Sequence, residues 1–200
     1  SSTRLTQAYI DYYLDIGTIS FGEKRLYLQN GRFLSDSNFN LLPRTFGQIS
    51  FITLNDNLSL IYLYNYVNKN STERTTFEKG SFIGAFENIR LLDSTKLSFY
   101  TYLFEDINSI FSIDLKQSLT KSQSLNITFA TQMAPIFDSS NLDVSNSTYY
   151  DVSYLIKGEI QSIRIGSRFF EGSSSKIGFY APYSSGYSWD GYVNKFQNQI

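Results

Sequence analysis

The chain has 200 residues, with 17 Lys and Arg against 18 Asp and Glu for a net charge of -1, and it contains neither cysteine nor histidine. Those absences exclude Ser-His-Asp triads, cysteine nucleophiles, zinc fingers, iron–sulfur ligation and a disulfide framework, and the near-zero charge gives no sign of a nucleic-acid partner. Sixteen Tyr and seventeen Phe supply nearly all of the 17% aromatic content, and with abundant Ser, Thr and Asn between them they favour strands.

Alternation of apolar and polar residues with period two dominates the chain. Gln7 to Asp15 places Ala8, Ile10, Tyr12 and Leu14 on one face. After Gly17, Ile19 to Leu28 reads as a second strand, with a poorer alternation around Gly22–Arg25 that suggests a bulge. Gln29 to Thr45 is a longer polar interval with Asn30-Gly31 and Pro43 as turn residues. Phe46 to Leu54 and Leu58 to Asn68 form a hairpin across Asn55-Asp56-Asn57, and Lys69 to Lys79 reads as a charged loop. Ser81 to Leu91 pairs with Leu97 to Phe104, and Ile110 to Leu119 with Ser124 to Ala134. Pro135 to Ser147 is another polar loop, followed by a hairpin of Tyr149 to Lys157 and Ile163 to Phe170. About ten strands and no helix emerge. Their mean length, about 9–10 residues, is that of a tilted strand crossing a bilayer.

Strand length, alternation, unequal turn lengths and aromatic enrichment together predict an all-β, antiparallel up-and-down transmembrane β-barrel, a partial barrel of about ten strands forming one unit over residues 1–200. No apolar run of about 18 residues provides a spanning helix. The chain starts Ser1-Ser2-Thr3-Arg4, without Met or a secretory apolar stretch, so a processed or cut end is expected. The alternative reading is a soluble or surface-attached β-rich module that binds carbohydrate through Tyr and Trp loops.

Three stretches carry a resemblance. Gly22-Glu23-Lys24-Arg25-Leu26-Tyr27-Leu28-Gln29-Asn30-Gly31-Arg32-Phe33 resembles a "GRQRI-L-NQRF" segment, and Thr148 to Gly158 with Ile163 to Gly172 resembles a "YY-LEGG…VKLGYE-LEG" hairpin. Phe179-Tyr180-Ala181-Pro182-Tyr183 with Trp189 to Phe196 is similar to an "F-TPLATLHKFNGWADKF" loop. All three belong to alginate-export-like outer-membrane β-barrel proteins of Gram-negative bacteria. The resemblance implies an outer-membrane channel that passes small or polymeric polar, anionic, saccharide-like solutes by passive diffusion, in contact with the lipid bilayer, without a cofactor or metal and without enzymatic activity. The family's His-Lys pair falls on Tyr187 and Ser188, its Trp on Tyr192 and its Asp on Asn194, which weakens alginate as the cargo. Family barrels have more strands and end on an aromatic residue, so this chain is expected to be an internal piece whose sheet is open, with unpaired edges.

Arg25 and Arg32 are the foremost candidates for lumen or solute contact, because a guanidinium in a lumen attracts anions and grips carboxylate or phosphate through two parallel hydrogen bonds. The competing expectation is that they pair with Asp11, Asp15, Glu23 or Asp36. Arg44, Lys195 and Arg164 are weaker candidates, and Arg164 and Arg168, on one face of a strand, read equally as ordinary lumen residues. Trp189, Tyr187 and Tyr192 lie in a loop that the resemblance folds into the lumen, where aromatic rings stack on sugars or plug the pore. Asp11/Asp15 and Glu105-Asp106 are the nearest approach to a paired-carboxylate enzyme, and solvated charge explains them better.

Overall fold

A computed structural model of the chain describes residues 7–29, 32–35, 44–55, 57–67, 74–104, 107–134, 144–158, 161–172 and 178–181. Ten long strands form one antiparallel sheet: β1 (Ala8–Leu14), β2 (Gly17–Lys24), β5 (Thr45–Thr53), β6 (Leu58–Val67), β7 (Arg74–Leu92), β8 (Thr95–Phe104), β9 (Asn108–Ser118), β10 (Gln123–Met133), β11 (Ser147–Lys157) and β12 (Ser162–Phe170). Two short strands, β3 (Tyr27–Leu28) and β4 (Leu34–Ser35), pair with each other inside the β2–β5 connection. Every long strand neighbours the next long strand in sequence, an up-and-down meander. Among the described residues β1 and β12 each pair on one side only, so the sheet is open as expected.

The polarity of the sheet is inverted relative to a soluble protein. On its outer face one cross-strand row runs Phe86, Phe99, Ile113, Phe129, Tyr150 and Phe169 through successive registered pairs, and every member is exposed. A second row, Ile10, Phe21, Ile49, Tyr62 and Phe82, continues the same surface over β1 to β7. The inner face carries buried Ser20, Ser50, Gln48, Ser59, Ser81, Ser112, Thr128, Gln132 and Asp151. Water would penalise the first face and hydrocarbon the second, so a bilayer outside and a polar lumen inside is the arrangement that satisfies both. A soluble carbohydrate-binding module would need the opposite assignment.

The two ends of the sheet differ. At one end the strands are separated by short intervals, 15–16, 54–57, 93–94, 119–122 and 158–161; at the other lie the intervals 25–44, 68–73 and 134–146, with only 105–107 short. Several boundaries depart from the sequence reading. The second strand stops at Lys24 instead of running to Leu28, and no register shift occurs near Gly22; its φ of +127° brings the backbone close under β1, where any Cβ would strike the backbone of Ala8 and Tyr9. The bulges fall at Gly47/Gln48, Leu63/Asn65, Phe86/Ile89 and Arg90/Leu92. The shift at Leu63/Asn65 lets Thr75 and Thr76 rejoin β6, so β7 begins at Arg74 and absorbs most of the expected 69–79 loop. It also separates two tyrosines of β6 that alternation would put on one face: Tyr62 stays outside, whereas Tyr66 packs on Phe77 at 5.5 Å.

If the outer row faces lipid, Phe129→Arg destabilises the folded protein in vesicles by about 2–4 kcal/mol, whereas Asn126→Arg on the lumen face costs less than about 1 kcal/mol. Denaturant titration of the two variants in the same lipid checks this.

Candidate functional site

Four inner rows descend from the long-loop end of β8–β12, and their chemistry changes in order. The first holds Tyr102, Ile110, Gln132 and Ser147, and the second Tyr100, Ser112, Ala130, Tyr149 and Phe170. The third is Ser98, Asp114, Thr128, Asp151 and Arg168, and the fourth Lys96, Lys116, Asn126, Ser153 and Gly166. Aromatic packing thus gives way to ion pairing and then to bare positive charge.

Two segments fold inward over these rows. The β3–β4 hairpin arrives from the β2–β5 connection, and Phe33 at its tip is fully buried between Tyr102 and Tyr149, edge-on to both at 5.7 and 5.8 Å. The second segment, Gly178–Ala181, adds Phe179, whose ring lies 5.7 Å from Phe33 and 5.6 Å from Tyr149. A dry cluster therefore joins two loops to the wall, and it includes Leu26, Leu34, Phe46, Phe104 and Ala181. Gln132 fixes the second loop: its Nε2 donates to the carbonyls of Ser145 and Gly178, and its Oε1 accepts from Asn108 at 2.8 Å and from the Tyr180 backbone N–H at 2.6 Å. Burial pushes the Tyr180 phenol up, so it stays neutral.

Arg32 is the polar counterpart of Phe33. It is buried, donates to Thr128 Oγ1 at 2.5 Å, and approaches Asp151 at 3.2 Å and Asp114 at 3.6 Å. Asp151 is 3% exposed and also accepts from Arg168 at 2.8 Å and the Tyr149 hydroxyl at 3.0 Å, with Arg164 at 3.9 Å. Gln29 adopts φ +51°, a left-handed conformation costing about 1 kcal/mol. It is held by its donation to Ser112 and Asp114, both 2.8 Å, and by the Tyr102 hydroxyl, which donates to its Oε1. Beneath this tether opens a cavity of about 340 Å³, lined by Gln29, Arg32, Glu87, Lys96, Tyr100, Asp114, Lys116, Asn126, Thr128 and Arg164.

The structure places the sequence candidates unequally. Arg32 is at the centre of the site, paired with Asp114 and Asp151, and Arg164 and Arg168 share its wall; Asp36 lies outside the described residues. Arg25 is exposed at the end of β2, its backbone N–H donating to Gln7 at 3.4 Å, and Arg44 borders β5; neither lines the cavity. Asp11 is taken up by Lys24 at 3.3 Å and Ser20. Tyr187, Trp189, Tyr192, Lys195, Glu105 and Asp106 lie outside the described residues. Sequence reasoning missed Gln29, Lys96, Asp114, Lys116, Thr128 and Asp151, although period two puts each strand member of that set on the polar face of its strand.

The fold is that of outer-membrane β-barrels. It matches solved outer-membrane porins: OccAB2 of Acinetobacter baumannii (TM-score 0.67, 13% identity, 87% of this chain and 46% of that one) and OccK8 (OprE) of Pseudomonas aeruginosa (0.65, 11%, 79% and 48%). The outer-membrane protein OpdK of P. aeruginosa also matches (0.60, 13%, 79% and 46%), and it has been crystallised with vanillate. The chain therefore spans just under half the length of these barrels. No protein-family model and no curated protein matches it.

Asp151→Asn leaves three arginines without their shared carboxylate and is expected to cost about 3 kcal/mol. Pairing it with Arg32→Gln is expected to cost less than the two single changes together, as a double-mutant cycle in denaturant will show.

Proposed function

We propose that the chain forms part of the wall of an outer-membrane channel that passes small polar, anionic solutes by passive diffusion, with the β2–β5 connection narrowing its lumen. The observation that carries this reading is the inverted sheet: a lipid-compatible outer face around an inner wall that holds both an inward-folded, tethered hairpin and a cavity rich in cations. On this reading the long loops face outward and the short turns face the periplasm. The likeness in fold to OccAB2, OccK8 and OpdK supports a place in the outer membrane, and the vanillate bound to OpdK makes a small carboxylate a reasonable class of solute. The resemblance to alginate-export-like barrels supports an anionic, saccharide-like solute. We further propose that residues 1–200 act as a single barrel segment, with no internal boundary.

The rows define how such a solute would move. Aromatic packing and the Arg32 tether close the region next to the wall, which pushes traffic to the open side of the lumen. Cations below the tether would lower the energy of an anion as it leaves the narrow zone. No bond to the solute is made or broken.

Protein purified from outer membranes and reconstituted in planar bilayers is expected to give discrete conductance steps. In a KCl gradient its reversal potential should show anion preference, and Arg164→Gln should shift that potential toward the cation side. Absence of pores, or a cation preference in the unaltered protein, contradicts the reading.

A further inference from the structure

We infer that the fourth inner row is a binding site for a polyvalent oxyanion of the phosphate type, on the periplasmic side of the constriction. The inference rests on the channel reading above and names what one part of that lumen holds.

Register makes the argument. Arg90 on β7 lies directly opposite Lys96 on β8, and Lys96 lies directly opposite Lys116 on β9. Side chains opposed in this way on one face have Cβ atoms about 4.5–5.5 Å apart, and like charges there are mutually destabilising. Two such repulsive pairs therefore share Lys96. Continuing the row, Asn126 supplies an amide beside Lys116, and Ser153 accepts from both Nε (3.0 Å) and Nη2 (2.8 Å) of Arg164, which brings a fourth cation to the same level. Lys96, Lys116, Asn126 and Arg164 all border the cavity.

The acids do not neutralise this row. Asp114 is engaged by Arg32 and Gln29, and Glu87, which accepts from the Tyr100 hydroxyl at 2.6 Å, brings one negative charge to the cavity against four cations. Asp151 is shared among Arg32, Arg168 and Arg164. Among the described residues no carboxylate lies within 4 Å of Arg90, Lys96 or Lys116. In the row above, Arg32, Arg164 and Arg168 face two carboxylates, whereas Arg90, Lys96 and Lys116 have no ion pair of their own among the described residues and, Asp114 apart, share the cavity region with Glu87 alone. A single carboxylate would leave most of that repulsion in place. A group with two or more negative charges and several acceptor oxygens would satisfy the lysines, the arginine fork and the Asn126 amide together.

The test uses protein purified from outer membranes, in planar bilayers at low KCl. Inorganic phosphate on the periplasmic side is expected to reduce the KCl current in a saturable way, and equimolar acetate to do so much less. Glycerol 3-phosphate serves as a second arm. Blockade by it as strong as by inorganic phosphate assigns the site to phosphorylated solutes; blockade by inorganic phosphate alone assigns it to the free ion. In Lys96→Gln with Lys116→Gln, the half-blocking phosphate concentration should rise about tenfold, whereas Lys121→Gln, in the β9–β10 turn, should leave it unchanged. Retained pore opening and heat-shifted gel mobility show that the double variant is folded. A pore that phosphate blocks no better than acetate, or one blocked equally before and after the double substitution, overturns this inference and leaves the channel reading intact. Absence of any pore overturns both.

Discussion

Hydrocarbon offers no hydrogen-bond partner, and that constraint shapes the rest of this chain. Every backbone amide in the bilayer must be satisfied by a neighbouring strand, so the sequence is spent on long, registered, antiparallel strands. Side chains then sort by pleat: Phe99, Ile113, Phe129, Tyr150 and Phe169 go outward, and Ser98, Asp114, Thr128, Asp151 and Arg168 go inward from rows one step away. A slip of β11 by one residue against its neighbours would put Asp151 in lipid. The ionic site and the lipid face are thus two consequences of one register.

Inside the lumen a second problem arises, because a loop folded into water-filled space has little reason to stay there. Here two different forces hold the β3–β4 hairpin. Phe33 enters a dry aromatic cluster with Tyr102, Tyr149 and Phe179, which supplies non-directional burial. Arg32, its neighbour in sequence, reaches Asp151 and Asp114 and fixes the direction of approach. Adjacent residues of a short turn thereby serve as anchor and guide. The same Arg32 that docks the loop also consumes the charge of Asp151, which is why the row around Asp151 is nearly neutral and the row below it is not.

Much of this was legible in the sequence. Alternation alone predicts the ten strands and the hairpin pairs 46–54 with 58–68 and 110–119 with 124–134, because each side chain reports its own face. Arg32 stood out as a lumen residue through the resemblance to alginate-export-like barrels. Its partners were not legible, since Asp114 and Asp151 are 82 and 119 residues away and only the inward fold of the β3–β4 hairpin over the sheet brings them together. Bulges were hidden for a similar reason: the shift at Leu63/Asn65 depends on how β6 and β7 fit each other, not on either strand alone. The cationic row escaped notice because Arg90, Lys96 and Lys116 are ordinary charges near turns until register sets them side by side.

The absence of cysteine allows the central claim, that one face of this sheet meets lipid and the other a lumen, to be measured one residue at a time. Single-cysteine variants through β10, positions 124 to 131, carry an environment-sensitive fluorophore in vesicles containing brominated lipid. The account predicts strong quenching at 125, 127, 129 and 131 and little at 124, 126, 128 and 130. Quenching without a period of two, or with the opposite phase, would contradict it.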